Sequence, residues 1–324
     1  MFNYRFMVFK NIKVHFLLFI YCLFVTSKTL GWGFSGHKQI TRCAIFTLPY
    51  PLFFLYKKHI GYITEHSVDP DSRRYVVKDE ATNHFIDLDF YDESVINSQE
   101  YIPWDKITSE YGEEMVKMHG TVPWSIMRVK KQLTKAFKNK DLIKIVKYSI
   151  DLSHYIADSN VPLHTTKNYN GQLTHQEGIH GFWETRLPDL FKKDYDYFIG
   201  TAKYIANPAQ EIWNSIMKTH KLVNIVLKTE QKLSEKYLSK YSYEKKGQNL
   251  IKVYSYEYSK DYHDALAGQV ETQMLNAIKL LGSFWYTCWI DAGKPNIEEI
   301  REKQIQEYHY DDTEKDDHSS CGLD

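Results

Sequence analysis

The sequence is poor in cysteine, balanced in charge and without repeats. Its four cysteines lack the paired spacing of a zinc finger, which excludes a small cysteine-held metal fold. Lys and Arg total 41, and so do Asp and Glu, which excludes a generally basic protein that attracts nucleic acid or anionic membranes by its overall field. The chain shows no internal repeat, so a solenoid is excluded as well.

Residues 1–31 are predicted to be a cleaved signal peptide. A basic lead-in precedes the apolar run VHFLLFIYCLFV at residues 14–25, which is short for a bilayer span. Small residues stand before the expected cut between Gly31 and Trp32. An uncleaved membrane anchor is the alternative. Cleavage predicts a secreted or periplasmic protein whose mature chain has no transmembrane segment.

Cleavage also changes the charge balance and the cysteine count. Residues 1–31 hold four basic and no acidic residues, so the mature chain has 37 basic against 41 acidic residues, a net charge of about −4. Cys22 leaves with the signal peptide, and the three remaining cysteines allow at most one internal disulfide. Cys43 with Cys288 is the pair to test, because Cys321 lies in a polar tail.

The mature chain is predicted to be all-α. Apolar residues recur at helical spacing along most of it, and no stretch alternates long enough to indicate a sheet. With 43% hydrophobic residues, the chain can bury a sizeable core. We therefore expect a single compact multi-helix domain at residues 32–300 and a polar, disordered tail at residues 301–324.

Start and stop signals divide the first two thirds of this domain. A helix after His37 should end at the prolines at positions 49 and 51, and a second should run to about Ile63. Thr121 should begin a helix, and Asp141 should cap the one after it. That second helix leads into the stretch at residues 154–184, where four of the chain's 14 histidines lie.

The last third is predicted to be helical but less regular. Residues 211–238 read as one long amphipathic helix, whereas the Tyr- and Lys-rich residues 240–260 carry no clear pattern. Asp261 should cap a final helix whose apolar stripe includes Met274 and Trp285. Such a stripe indicates core packing.

Histidines and carboxylates in several of these segments point to a metal centre. His154 with Asp158, and His180 with Glu184, are each four residues apart and so share a helix face. About two such pairs are expected by chance, so their weight comes from the whole set. The candidate ligands are His37, Asp69, His84, His154, Asp158, His164, His180 and Glu184. Eight exceed the four ligands of one zinc ion and suit a cluster with a bridging carboxylate.

These residues, in this order, resemble the superfamily of zinc-dependent phospholipases C and single-strand-specific zinc nucleases. The resemblance runs from Trp32, in WGFSGH, to about Leu190. It implies an all-helical secreted phosphoesterase with three zinc ions. It also implies that the amino group and carbonyl of a new amino-terminal Trp32 bind one zinc together with His37.

The resemblance assigns the remaining ligands to two further ions. Asp69, His84, His154 and Asp158 would hold the second zinc, with Asp158 bridging to the first, and His164, His180 and Glu184 would hold the third. Asp69 and Asp158 are the implied catalytic residues, and Asp69 would also orient the attacking water. Arg73 or Arg74 is a candidate phosphate contact.

The substrate class stays open between phospholipid and single-stranded nucleic acid. His37 lies five residues after Trp32, as in the nucleases, whereas the short step from His164 to His180 and the use of Glu184 are closer to the phospholipases. The implied function is zinc-dependent hydrolysis of a phosphodiester by a metal-activated water. The alternative is a non-catalytic secreted helical protein in which zinc only stabilises the fold.

Overall fold

The computed structural model describes residues 32–300. The predicted signal peptide, its cleavage site and the tail at residues 301–324, with Cys321, lie outside the described residues. Over residues 32–300 the chain is mostly helical, and the predicted all-α class is confirmed. A single hairpin of two short strands is the exception within this range.

Fifteen α-helices lie along the described residues. The first seven are α1 (Phe34–Thr47), α2 (Leu52–Lys58), α3 (Ile60–His66), α4 (Asp69–Arg73), α5 (Glu93–Ile96), α6 (Trp104–Tyr111) and α7 (Glu113–Met118). The others are α8 (Val122–Lys138), α9 (Leu142–Asp158), α10 (Ile179–Gly181), α11 (Leu187–Phe191), α12 (Pro208–His220), α13 (Val223–Ser234), α14 (Tyr256–Ala265) and α15 (Gln269–Asp291).

Shorter helical turns connect some of these helices. Turns of 3₁₀ type lie at Glu80–His84, Leu88–Phe90, Pro162–Thr165, Lys192–Asp194 and Ile297–Glu299. A π-helical turn at Phe182–Arg186 joins α10 to α11. A π turn inserts an extra residue into the helix and is frequent at functional sites. Here it carries Glu184, one of the candidate ligands.

The core forms where α1, α8 and α9 pack against α15. The predicted stripe of α15 is buried there, with Met274 and Trp285 both fully inaccessible to solvent. Trp285 packs on Tyr56 with ring centroids 4.7 Å apart, and its Nε1 donates to the carbonyl oxygen of Ser149 at 3.2 Å. This hydrogen bond satisfies the indole N–H inside the core. It also ties α15 to α9, the helix that carries His154 and Asp158.

Two of the predicted helix starts are confirmed. Helix α8 begins directly after Thr121, and α9 begins directly after Asp141. The Asp141 side chain accepts a hydrogen bond from the backbone N–H of Lys144 at 3.2 Å. This bond satisfies one of the N–H groups that the first turn of a helix leaves without a partner.

The last third differs from the prediction in three ways. The final helix begins at Gln269, because Gly268 adopts φ +78° and breaks the chain from α14, which contains Asp261. Residues 211–238 form two helices, α12 and α13, separated at positions 221–222. Part of the Tyr- and Lys-rich piece forms the hairpin of β1 (Tyr241–Lys246) and β2 (Asn249–Tyr254).

The hairpin has a clear physical cause. Gly247 begins its two-residue loop with φ +62°, a conformation that glycine adopts readily and that two-residue hairpin loops need. Tyrosine, valine and isoleucine then favour the extended strands. Tyr254, at the end of β2, stacks on Phe182 with ring centroids 3.8 Å apart. The hairpin therefore packs against the π turn that carries Glu184.

The two cysteines in the described range are not joined to each other. Cys43 and Cys288 are both free thiols. Cys288 is buried in the core, and burial raises its pKa to about 12. Cys43 is half-buried and accepts a hydrogen bond from Nε2 of Gln39 at 3.3 Å. The disulfide that the sequence left open between them is absent from this structure.

Candidate metal centre

The C-terminal end of α9 forms the middle of the candidate site. His154 and Asp158 lie one helical turn apart, and both are fully buried. Their side chains share one face of α9 because residues four apart in a helix lie one above the other. Nδ1 of His154 donates to the carbonyl oxygen of Ser67 at 2.8 Å, which leaves Nε2 as a lone-pair donor toward the site.

The first group of potential ligands consists of His37, His154 and Asp158. His37 lies in the first turn of α1, and its ring stacks on that of His154 with centroids 4.1 Å apart. Nε2 of His37 lies 3.3 Å from Oδ1 of Asp158. Two imidazoles and a carboxylate therefore converge on one buried point.

A second group consists of Asp71, His84 and His154. Nδ1 of His84 lies 3.0 Å from Nε2 of His154 and 2.9 Å from Oδ2 of Asp158. Oδ1 of Asp71 lies 3.6 Å from Nε2 of His154. Asp158 thus directs one oxygen toward His37 and the other toward His84, the arrangement that a carboxylate bridging two ions requires.

A third group consists of His164, His180 and Glu184. Oε2 of Glu184 lies 2.9 Å from Nε2 of His180 and 3.3 Å from Nε2 of His164. Nδ1 of His164 donates to the carbonyl oxygen of His84 at 2.7 Å, so its Nε2 is free to bind an ion. This bond also connects the third group to the second.

The hydrogen-bonding state of these side chains fits a bound cation. Buried polar groups almost always have a hydrogen-bond partner. In this cluster, however, many side-chain nitrogen and oxygen atoms are buried and form no hydrogen bond: both nitrogens of His37 and of His180, both oxygens of Asp71 and of Glu184, Nε2 of His84, Nε2 of His164 and Oδ1 of Asp158. Imidazole nitrogen and carboxylate oxygen are the donors that zinc takes. Divalent ions in this cluster would satisfy atoms that the protein itself leaves unsatisfied.

Burial and mutual charge shift the pKa values in the cluster strongly. Burial lowers the pKa of His37 and of His180 to about 4 in each case, so both imidazoles are neutral at neutral pH. Burial raises the pKa of Glu184 to about 8. Burial opposes the charge on His154, but the carboxylates of Asp158 and Asp71 outweigh it and raise the pKa to about 10. Without metal the cluster therefore retains protons that metal binding has to displace.

Asp69 does not lie in this cluster, where Asp71 stands beside His154 instead; metal binding by either aspartate stays a prediction. Oδ2 of Asp69 lies 2.7 Å from Nδ1 of His66, and its side chain is 47% exposed. Asp69 lines a separate cleft with Tyr62 and Arg73. Asp69 and Asp71 are two residues apart on α4, so their side chains leave the helix on different faces. Only that of Asp71 is buried beside His154.

Trp32 lies beside the ligand-bearing segments. Its ring is fully buried, and Nε1 donates to the carbonyl oxygen of Ala157 at 2.7 Å. The ring also packs on Trp183 with centroids 5.0 Å apart. The N–H of the next residue, Gly33, donates to the carbonyl oxygen of Glu184 at 3.2 Å. The backbone at Trp32 is thus held between the segments that carry Asp158 and Glu184. Ligation by its amino group remains a prediction.

The two candidate phosphate-binding arginines have different surroundings. The guanidinium of Arg73 lies 2.8 Å from Asp151 and 3.1 Å from Glu80 in a largely buried network beside the site. Arg74 lies 3.2 Å from Oδ1 of Asp71, and its charge also acts on His180. Arg74 is therefore the arginine at the cluster.

Sequence reasoning missed Asp71 and also Glu80. Oε1 of Glu80 lies 3.8 Å from Nε2 of His84, the nitrogen that faces away from the ligand group. Glu80 stands four residues before His84, a spacing that matches the pairs at His154 and His180, but its 3₁₀ turn was not predicted.

Tyr169 is 44% exposed, and its ring centroid is 5.8 Å from that of His180. Solvent reaches the cluster on the side of His164 and His180, each 5% exposed.

Among residues 32–300, no helix is both long and apolar enough to cross a membrane.

No protein-family model and no curated protein matches the chain. Solved structures of similar shape include the alpha-toxin of an avian strain of Clostridium perfringens, with 13% identity, and alpha toxin from Clostridium absonum, with 14% identity. In each case the TM-score is 0.46, and the match covers 84% of this chain but only 66% of the other.

Proposed function

We propose that the protein is a zinc-dependent hydrolase of phosphodiester bonds. One observation carries the proposal: three groups of histidine and carboxylate side chains adjoin one another in the buried interior, and many of their nitrogen and oxygen atoms have no hydrogen-bond partner within the protein. A single structural zinc needs four ligands, whereas this cluster offers eight side chains. A cluster of ions beside one another suits the displacement of an oxygen at phosphorus.

The ligands would divide among three zinc ions, with Asp158 shared by two of them. The first would be held by His37 and Asp158, with the amino group and carbonyl of a mature amino-terminal Trp32. Asp71, His84 and His154 would hold the second together with Asp158, and His164, His180 and Glu184 would hold the third. Zinc ions supply Lewis acidity and a bound water of lowered pKa, so they activate the nucleophile and stabilise charge on the phosphate.

The protein's own side chains position the reactants. Asp158, with one oxygen toward His37 and the other toward His84, fixes the spacing of the first two sites. Asp71 would take the role of orienting the attacking water, which the resemblance implied for Asp69. Arg74 lies beside Asp71 and would donate hydrogen bonds to a phosphate oxygen, since a guanidinium can pair with two oxygens at once.

The substrate is a phospholipid or a single-stranded nucleic acid, and the enzyme acts outside the cytoplasm if the predicted signal peptide is cleaved. Tyr169, exposed beside His180, lies where a substrate would enter. An aromatic ring at this position can stack on a base or contact a lipid glycerol backbone.

A substrate panel tests the proposal. Protein purified with zinc should hydrolyse a chromogenic phosphodiester, and it should also hydrolyse either phosphatidylcholine or single-stranded DNA. The variant Glu184→Gln removes a ligand and should lose activity by about a hundredfold or more. Glu177→Gln, an exposed change in the same segment, is the matched control and should retain it.

The panel also separates catalysis from a purely structural role for zinc. If the zinc-loaded protein hydrolyses none of the three substrates while chelation lowers its melting temperature, the non-catalytic alternative is correct. A protein that contains no zinc after gentle purification would overturn both interpretations.

A further inference from the structure

The corner between α1 and α2 exposes a cluster of aromatic rings that the metal centre does not use. Phe46, Tyr50 and Phe54 are 56%, 76% and 57% exposed, and Phe53 lies half-buried between them and the core. Ring centroids are 6.0 Å apart for Phe46 and Phe53, and 5.5 Å apart for Tyr50 and Phe54. We call these four residues the aromatic corner. Scattered exposed aromatics are normal in proteins, but a contiguous group marks a binding surface.

The segment that forms the aromatic corner carries an excess of cations. Residues 34–64 contain Lys38, Arg42, Lys57 and Lys58 but no Asp or Glu, and the next residue, Glu65, pairs with Lys38. Lys57 and Lys58 form the last turn of α2 and are exposed. Nζ of Lys57 lies 5.4 Å from the ring centroid of Phe53. This local excess of cations contrasts with the balanced charge of the chain as a whole.

We propose that the aromatic corner is a lipid-binding surface that adsorbs to the interface of anionic phospholipid bilayers. Tyrosine and phenylalanine rings insert at the boundary between head groups and acyl chains, while lysines reach the phosphates. A flat protein partner would also accept the rings, but it gives no reason for the excess of cations over carboxylates in this segment. The charge pattern therefore favours an anionic lipid surface.

The position of the aromatic corner gives the surface a role. His37 lies at the beginning of α1 and Phe46 near its end, so about 14 Å of helix separates the corner from the metal centre. A rigid helix of this length would hold the metal centre close to the bilayer. The proposal does not depend on the reaction, because adsorption requires neither zinc nor turnover.

Co-sedimentation with vesicles tests the proposal on protein purified with zinc. The protein should bind vesicles that contain phosphatidylserine more tightly than vesicles of phosphatidylcholine alone, and added salt should weaken binding. The double substitution Tyr50→Ser with Phe54→Ser should lower the partition coefficient by about tenfold or more, because two exposed rings no longer insert. Tyr243→Ser with Tyr256→Ser is the matched control, since these rings are also exposed, and it should bind as the unmodified protein does.

A second pair of matched variants tests the contribution of the lysines to vesicle binding. Lys57→Gln with Lys58→Gln should lower binding to anionic vesicles by about tenfold and leave weak binding to neutral vesicles unchanged. Lys245→Gln with Lys246→Gln, in the exposed end of the hairpin, should change neither. All four double variants should keep the melting temperature and the hydrolysis of a soluble phosphodiester, because none of these side chains is buried or near the cluster.

Three results would overturn the proposal. The first is that the protein binds neither kind of vesicle. The second is that the aromatic variant binds vesicles as tightly as the unmodified protein. The third is that the unmodified protein is a dimer without vesicle binding and that the aromatic variant is a monomer. The last result would make the corner an interface between two copies of the chain. Vesicle binding without hydrolysis of any substrate would instead overturn the proposed function and leave the lipid-binding surface standing.

Discussion

Asp69 and Asp71 lie two residues apart on α4, and their carboxylates lie in different environments. Oδ1 of Asp71 is 3.6 Å from Nε2 of His154, and its side chain is fully buried. Oδ2 of Asp69 is 2.7 Å from Nδ1 of His66 near the surface. Substitution of Asp by Asn therefore makes the same chemical change inside the cluster at position 71 and outside it at position 69.

Substitution of Asp71 by Asn should remove about one zinc per molecule and lower phosphodiesterase activity by about a hundredfold or more. An amide oxygen is a poorer zinc ligand than a carboxylate, and the lost negative charge weakens the remaining site. Metal content by mass spectrometry and the rate on a soluble phosphodiester are the measurements. Asp69→Asn is the control and should change neither by more than about twofold. Equal losses in the two variants would show that Asp69 is also part of the site.

Residue type and order were enough to predict most of the cluster. The structure brings together His37, His84, His164 and the two pairs spaced by four residues, while their binding of zinc stays a prediction. Whether the carboxylate of Asp69 or that of Asp71 lies in the cluster depends on the rotation of the five-residue helix α4 about its axis. Such a rotation is set by packing against α9, where His154 contacts Asp71 although it lies far from Asp71 in the sequence. The spacing of residues along the sequence does not determine this rotation.

The fold was predictable to a similar degree. Long stripes such as that of α15 identify core helices because burial of one face drives their formation. The hairpin at residues 241–254 was missed because its exposed strands carry lysine and glutamate in place of an alternating apolar pattern. Its base is fixed by the stacking of Tyr254 on Phe182, a contact between residues 72 positions apart. Tertiary packing, and not local pattern, decides this element.

An additional residue before Trp32 should lower the zinc content by about one ion per molecule. The proposed ligand is the free amino group of Trp32, and an amide nitrogen cannot replace it. The buried ring, bonded to the carbonyl of Ala157, should hold the backbone in place in either form. The measurements compare the zinc content and the activity of two proteins, one that begins at Trp32 and one that has a single Ala before Trp32. If the extended form retained full zinc content, the first site would not use the amino terminus.

Glu80→Gln should lower zinc affinity about tenfold. Oε1 of Glu80 lies 3.8 Å from Nε2 of His84, while Nδ1 of His84 faces the ligand group. Burial alone would raise the pKa of Glu80, but Arg73 and Tyr155 outweigh it and keep the carboxylate ionised. A carboxylate behind a ligating imidazole orients the ring and increases its basicity. Glu80 is therefore a positioning residue.

Competition with a chelator measures that affinity, and the absorption spectrum of the cobalt-substituted protein reports the ligand field at His84. Glu65→Gln, an exposed change on α3, is the control and should leave both unchanged. If Glu80→Gln lowered the melting temperature but altered neither zinc affinity nor the cobalt spectrum, Glu80 would have only a structural role.

Glu230 should make the stability of the fold depend on pH below about 4.5. The residue is 1% exposed on α13 and accepts hydrogen bonds from Gln176, Lys240 and Tyr258. Burial acts to raise the pKa of Glu230, but these bonds outweigh it and hold the pKa below 4.5. A carboxyl whose folded pKa is depressed contributes its full stability above the unfolded pKa, and it loses that contribution as the pH falls through the folded pKa.

Glu230→Gln should therefore be less stable than the unmodified protein by about 1 to 3 kcal/mol at neutral pH, and the difference should shrink as the pH falls below 4.5. Denaturant unfolding of both proteins across this range measures the difference. Loss of metal at low pH affects both proteins alike, so the difference between them isolates Glu230. A stability difference that stayed constant with pH would show that Glu230 contributes by its shape and not by its charge.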